Sequence, residues 1–326
     1  MEFSEAADFF RRHDSFIISS HESPDADGLG AEYTLLKALR AMGKKARSIN
    51  AHRASSRYRF IDPDGIIETL ADTQISDEEL KSSTIVLVDT NDIQFTGEMA
   101  NLVINRAARV FVFDHHDARG PDTGFSCMAP EMSSTCEMAY WTLRELGLEP
   151  DTAMANAMLA GIVYDTGSFA YAKTTASTFR AALDLVERGA VPADIHSALN
   201  ESSETSVLLL RKAVLGSLQL ELGGKLAIQY MDKTVLEQTG AHYEDAEDLI
   251  NTPLQAKSVQ VSMFFKENRE GTLRCSLRSK GLVNVAHIAQ SMGGGGHKRA
   301  AGFKCPYPLD ETRAKVVELL RKNLPD

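Results

Sequence analysis

Three short apolar runs in the N-terminal half of the chain end in side chains suited to holding a cation. Phe16–Ser20 runs into His21-Glu22-Ser23-Pro24-Asp25-Ala26-Asp27, Ile85–Val88 into Asp89, and Val110–Phe113 into Asp114-His115-His116. Asp165 closes a fourth apolar stretch, Met154–Tyr164. Alone, Asp25 or Asp27 reads most simply as a helix cap or Asx-turn, with Gly28 and Gly30 easing the bend. Together the groups demand more. An aspartate of pKa about 3.9 is ionised at pH 7. Two such charges about 4 Å apart repel by about 4 kcal/mol at an effective dielectric of about 20. Several pairs would exceed the ~5–15 kcal/mol by which a domain is stable, so cations must neutralise Asp25, Asp27, Asp89 and Asp165 if they converge. With His21 and His115 the donor set is imidazole and carboxylate without thiolate, which suits manganese, magnesium, iron, cobalt or zinc. Two ions fit this many ligands better than one.

A second chemistry lies near the other end, where Gly293–Gly296 precede His297-Lys298-Arg299. Four glycines are often only a loop, but residues without Cβ let backbone N–H groups approach an anion closely and form a phosphate nest. Between Lys257 and Lys304 nine Lys and Arg face two Glu, a net +7 within a chain of −10, leaving the rest at −17. An acidic body with one basic segment suits a small anionic ligand and argues against gripping a long duplex, which needs many cationic contacts to phosphate.

The elements that must position these groups follow from periodicity. The three apolar runs read as buried parallel strands. Helical patterns cover Gly28–Met42, Ser133–Leu146, Thr152–Tyr164 and Ala176–Arg188, with Ser133-Ser134-Thr135 as an N-cap before Glu137. Strands alternating with helices indicate an α/β parallel sheet, and ligands bind beyond the carboxyl ends of such strands. The pattern weakens over Gly189–Glu204, the best linker candidate. After a helix near Ser206–Gly216, the runs Lys225–Tyr230, Ser258–Phe265 and Thr272–Leu277 read as strands of a smaller α/β unit, giving domains 1–196 and 197–326. The length of 326 residues and 43% hydrophobic content support two cores. No run approaches the ~20 apolar residues of a membrane helix, and the acidic N-terminus lacks signal-peptide character, so a cytoplasmic location is expected. Cys127, Cys136, Cys275 and Cys305 form no C-x-x-C pair and read as packing residues.

In these motifs the sequence resembles the DHH phosphoesterase superfamily: HESPDADG, VDT, DHH and GIVYDTGSF occur in the family's order. LRSKG (Leu277–Gly281) and GGGGHKRAAG (Gly293–Gly302) resemble the DHH-associated C-terminal domain. The resemblance implies one metal on His21, Asp25 and Asp89 and a second on Asp27, Asp89, His115 and Asp165, with Asp89 bridging. It implies that Asp114 supports the histidines, that His116 meets the substrate phosphate as a catalytic group beside Asp89, and that Arg278, Ser279, Gly294, Gly295, Gly296 and His297, with Arg299 nearby, bind substrate in a cleft between the domains. Manganese is the expected metal, with magnesium or cobalt as alternatives. The layout is similar to family members that hydrolyse nanoRNA and 3′-phosphoadenosine 5′-phosphate (pAp), and to those acting on cyclic di-AMP products. The expected substrate is therefore a short single-stranded oligonucleotide or small nucleotide. Pyrophosphatase or polyphosphatase action and a non-catalytic nucleotide sensor are the competing readings, and a homodimer is a family expectation. Ala170 and Phe179 depart from the pattern, standing where relatives often carry a basic residue or His.

Overall fold

The strands β1 (Ser15–Ser19), β2 (Lys45–Asn50), β3 (Ile67–Thr69), β4 (Thr84–Val88), β5 (Arg109–Asp114) and β6 (Gly124–Met128) pair in the order β3-β2-β1-β4-β5-β6. Every pairing is parallel. The computed structural model describes residues 3–116 and 124–324. Alternate side chains of β1 feed a core on each face: Phe16 and Ile18 pack with Phe10, Leu36, Phe111 and Phe113, while Ile17 packs with Ile85, Leu87 and Val112. This two-sided burial is why β1, β4 and β5 read as unbroken apolar runs. The chain leaves β1 for β2 on one side and reaches β4 on the other, so a crevice opens at the carboxyl end of β1. Helices Ala26–Ala41, Thr135–Leu146 and Thr152–Asp165 pack together over it.

A second compact unit starts at Ser203. Its strands β7 (Gln219–Glu221), β8 (Leu226–Met231), β9 (Val261–Glu267), β10 (Leu273–Ser279), β11 (Gly295–His297) and β12 (Ala300–Lys304) form a mixed sheet in the order β11-β12-β10-β9-β8-β7. The α/β architecture read from periodicity is thus found in both units. Two local expectations need correction. Gly189–Glu204, read as linker, contains the helix Pro192–Asn200: Pro192 occupies the first helical turn, where its missing N–H costs nothing, and Ile195 and Leu199 are buried in the first core. The glycine run is not an open loop, because Gly295–His297 pairs with Ala300–Gly302 as an edge strand. A Cβ on Gly294 would lie 2.8 Å from Phe303 Cα, and Gly296 holds φ at +134°. At these two positions hairpin packing by itself requires glycine. Among the described residues no helix is long and apolar enough to cross a membrane.

Candidate metal centre

Asp25 caps the helix Ala26–Ala41, its Oδ1 accepting from Asp27 N at 2.9 Å and Gly28 N at 3.2 Å. The cap and the ligand reading are compatible, because ligand atoms of His21, Asp25 and Asp89 also lie within 4.8 Å of one another. Asp27 points the other way, into the N-terminus of the helix Thr135–Leu146, where Thr135 N donates to Oδ2 at 2.6 Å and Cys136 N to Oδ1 at 2.8 Å. Unpaired amides at a helix start suit an anion. Close packing is required here, since a Cβ on Gly161 would stand 2.7 Å from Asp27 Oδ1. Asp89 follows β4 with φ at +58°, a left-handed conformation rare outside glycine, asparagine and aspartate. Thr135 Oγ1 donates to Asp89 Oδ1 at 3.0 Å.

His115 joins the groups. Its Nδ1–H donates to the Met132 carbonyl at 3.3 Å, which turns Nε2 inward. Nε2 lies 3.1 Å from Asp165 Oδ2, 3.6 Å from Asp89 Oδ1 and 3.8 Å from Asp27 Oδ2. It is buried and makes no hydrogen bond. On the far side of Asp89, His21 Nε2 stands 3.8 Å from Oδ2. The structure thus brings together all six residues read as ligands, in two groups that approach Asp89 through different oxygens. An orphaned imidazole nitrogen facing three carboxylates fits a cation.

The electrostatics agree. Burial, then the charge of Asp165, pushes Asp27 up to about 6. Burial, with Asp27 and Asp25 adding to it, raises Asp89 well above the usual carboxylate range, and burial raises Asp25. Burial lowers the His115 imidazole, but Asp165 and Asp27 outweigh it and leave it raised to about 9. Among the described residues the ion pairs of these aspartates are all with histidines. Without a metal, protons must take the place of cations.

Asp114 is fully buried and accepts from His116 Nδ1 at 2.7 Å and Asn91 Nδ2 at 2.6 Å. The Asp114 contact raises His116, whose side chain is 56% exposed. Sequence reasoning missed Asn91, Thr135, Cys136 and Gly161. The cysteine, read as packing, lies against Asp27 with Sγ 3.3 Å from its carbonyl; only the Ser-Ser-Thr cap signal marked that helix start. In the second unit His297 and Arg299 are exposed and Arg278 is half-buried. Ser279 is buried, its hydroxyl donating to the Val283 carbonyl at 2.7 Å and accepting from Gly281 N, so it is committed to a turn. Phe179 is exposed and stacks on Phe169 at 5.2 Å.

Comparison with known proteins finds the DHH family, N-terminal domain, over residues 15–162 and the DHHA1 domain over 223–324. The chain is 29% identical over 314 residues to the bifunctional oligoribonuclease and PAP phosphatase NrnA of Thermus thermophilus, covering 94% of this chain and 89% of that one. It is 27% identical over 338 residues to the cyclic-di-AMP phosphodiesterase GdpP of Geobacillus thermodenitrificans, covering 96% of this chain and 47% of that one. Among solved structures, an exopolyphosphatase-related protein from Bacteroides fragilis matches with a TM-score of 0.89 at 25% identity, covering 98% of this chain and 95% of that one.

Proposed function

The chain belongs to the DHH family of phosphoesterases, and from that premise we propose that it uses two divalent ions, manganese first among them, to hydrolyse pAp and oligonucleotides of a few residues in the cytoplasm. The observation that carries this reading is that ligand atoms of His21, Asp25 and Asp89 form one close group and those of Asp27, His115 and Asp165 another, with the buried His115 Nε2 3.6 Å from Asp89 and making no hydrogen bond. A bound metal pair supplies a water of lowered pKa and positive charge for the phosphoryl oxygens. Asp89 offers one oxygen to each group, and the amides of Thr135 and Cys136 hold Asp27 in place. His116, anchored by Asp114 and open to solvent, is assigned to donate a hydrogen bond to the phosphoryl group. The proposed substrate rests on similarity to an NrnA protein along most of both chains.

Similarity to GdpP favours a second reading, cyclic di-AMP or its linear product, and the Bacteroides relative keeps polyphosphate in view. Purified protein with manganese, offered pAp, pApA, cyclic di-AMP, pyrophosphate and two-to-five-nucleotide RNAs, should release AMP from pAp and mononucleotides from the short oligomers. Consumption of pyrophosphate or cyclic di-AMP alone would replace the proposal.

Phosphate recognition is assigned to the exposed His297 and to Arg278. A hydrogen bond to a charged partner contributes about 1.5–3 kcal/mol, so His297→Ala should raise KM for pAp roughly 10- to 100-fold and leave kcat within a few-fold. Steady-state kinetics checks this; an unchanged KM removes His297 from the substrate.

A further inference from the structure

A fully buried carboxyl group of the first unit, that of Glu32, has no cation beside it. Glu32 lies on the helix Ala26–Ala41 with 0% exposure, and among the described residues it forms no ion pair. Its carboxyl group accepts from Ser48 Oγ and from Asn50, whose Nδ2 lies 2.9 Å from Oε1 and 3.0 Å from Oε2. Asn50 is 2% exposed, and its Oδ1 accepts from Ser20 N at 3.1 Å and from Ser19 Oγ at 3.3 Å. A backbone N–H can only donate, so Asn50 must turn its oxygen to Ser20 and its nitrogen away, and Glu32 is the acceptor that fixes this orientation.

The location gives the network its use. The β1–β2 register ends at Ile18 with Ser48, and the next residues lead directly into His21 and Asp25. Where the backbone ladder stops, a side chain from the end of β2 takes over the N–H of the residue preceding His21. A buried carboxyl group without a cation is costly, and an apolar residue would fill the same volume on this helix.

We propose that Glu32 is a positioning residue that acts through Asn50 to fix the end of β1, so that His21 and Asp25 present their ligand atoms to the Asp89 side of the centre. The inference rests on the metal reading above, and it separates the two groups: the His115 group is held instead by the start of the helix Thr135–Leu146 and should not depend on Glu32. Burial raises the Glu32 carboxyl to about 8, so near neutrality it carries a proton and glutamine is a close replacement.

Manganese binding, followed at pH 7 by the loss of the free-ion paramagnetic resonance signal, tests this without turnover. Wild type should bind two ions. Glu32→Ala and Asn50→Ala should each weaken one ion about tenfold, the range found when residues behind metal ligands are removed, while the other ion binds as before and Glu32→Gln binds both nearly as wild type. The weakened ion should be the one lost in His21→Ala, so adding Glu32→Ala to that variant should change nothing further at the remaining ion. If both alanine variants bind two ions as wild type does, lose both equally, or fail to fold, Glu32 serves the fold and the inference is overturned. Failure of wild type to bind manganese would instead sink the metal reading itself.

Discussion

Asp89→Asn should lower turnover of pAp by at least about 10³-fold, about 4 kcal/mol of barrier, and weaken manganese at both positions. The substitution isolates the charge. Asn tolerates the left-handed φ of +58° found at this residue, it matches Asp in size, and its amide oxygen can still accept from Thr135 Oγ1, so neither strain nor a cavity would explain a loss. What disappears is the carboxylate whose two oxygens face His115 Nε2 at 3.6 Å and His21 Nε2 at 3.8 Å. Removing one member of a crowded acidic cluster should also leave the metal-free variant at least as heat-stable as the metal-free wild type. Single-turnover rates with saturating manganese, paired with thermal melts, check both halves. Wild-type turnover in the Asn variant would exclude Asp89 as the shared ligand.

Manganese added to chelator-treated protein should raise its melting temperature by about 10 °C or more at pH 7.5, and by clearly less at pH 5. A ligand at about 100 times its Kd adds about 2.7 kcal/mol per site, and about 1 kcal/mol moves a unit of this size by about 2–4 °C. The pH direction follows from the shifted groups. Asp27, at about 6 in the fold, and Asp89 and Asp25, also raised, release their protons at higher pH than in the unfolded chain. The contribution of Asp27 is therefore present below about pH 4 and is lost as pH rises through 6, and those of Asp89 and Asp25 decline in the same direction. His115, raised to about 9, favours the metal-free fold at neutral pH and withdraws that support as pH climbs through 9. The metal-free protein thus weakens toward alkaline pH, while proton competition for the ligands fades and binding tightens. Dye-monitored melts across this range measure the difference; a gain that shrinks from pH 5 to 7.5 would contradict the assignment of these groups as ligands.

The catalytic face of the fold was legible because its strands are buried on both sides. β1, β4 and β5 carry little but apolar residues, and each ends abruptly in Asp or His. β2 was not legible. Lys45-Ala46-Arg47-Ser48-Ile49-Asn50 looks like a surface segment, yet Ser48 and Asn50 are buried, facing Glu32. A polar network inside the fold thus hides a strand from any hydrophobic pattern. The helix Pro192–Asn200 was obscured differently, by a proline that breaks helices in their interior but starts them at the first turn. At the centre itself, the six proposed ligands announced themselves by type and motif. Their supports did not, because Thr135 and Cys136 act through backbone N–H groups, which any residue type supplies. Ser279 illustrates the converse: a polar residue in a motif whose side chain is spent on its own turn.

On the proposed reading Asp89, with one oxygen toward His21 and the other toward His115, would be shared by two ions. Crystals soaked in manganese, with diffraction recorded above and below the manganese absorption edge, test it most directly. The account predicts two anomalous peaks, one among His21, Asp25 and Asp89 and one among Asp27, Asp89, His115 and Asp165. A single peak remote from Asp89, or none with these side chains turned apart, would contradict it.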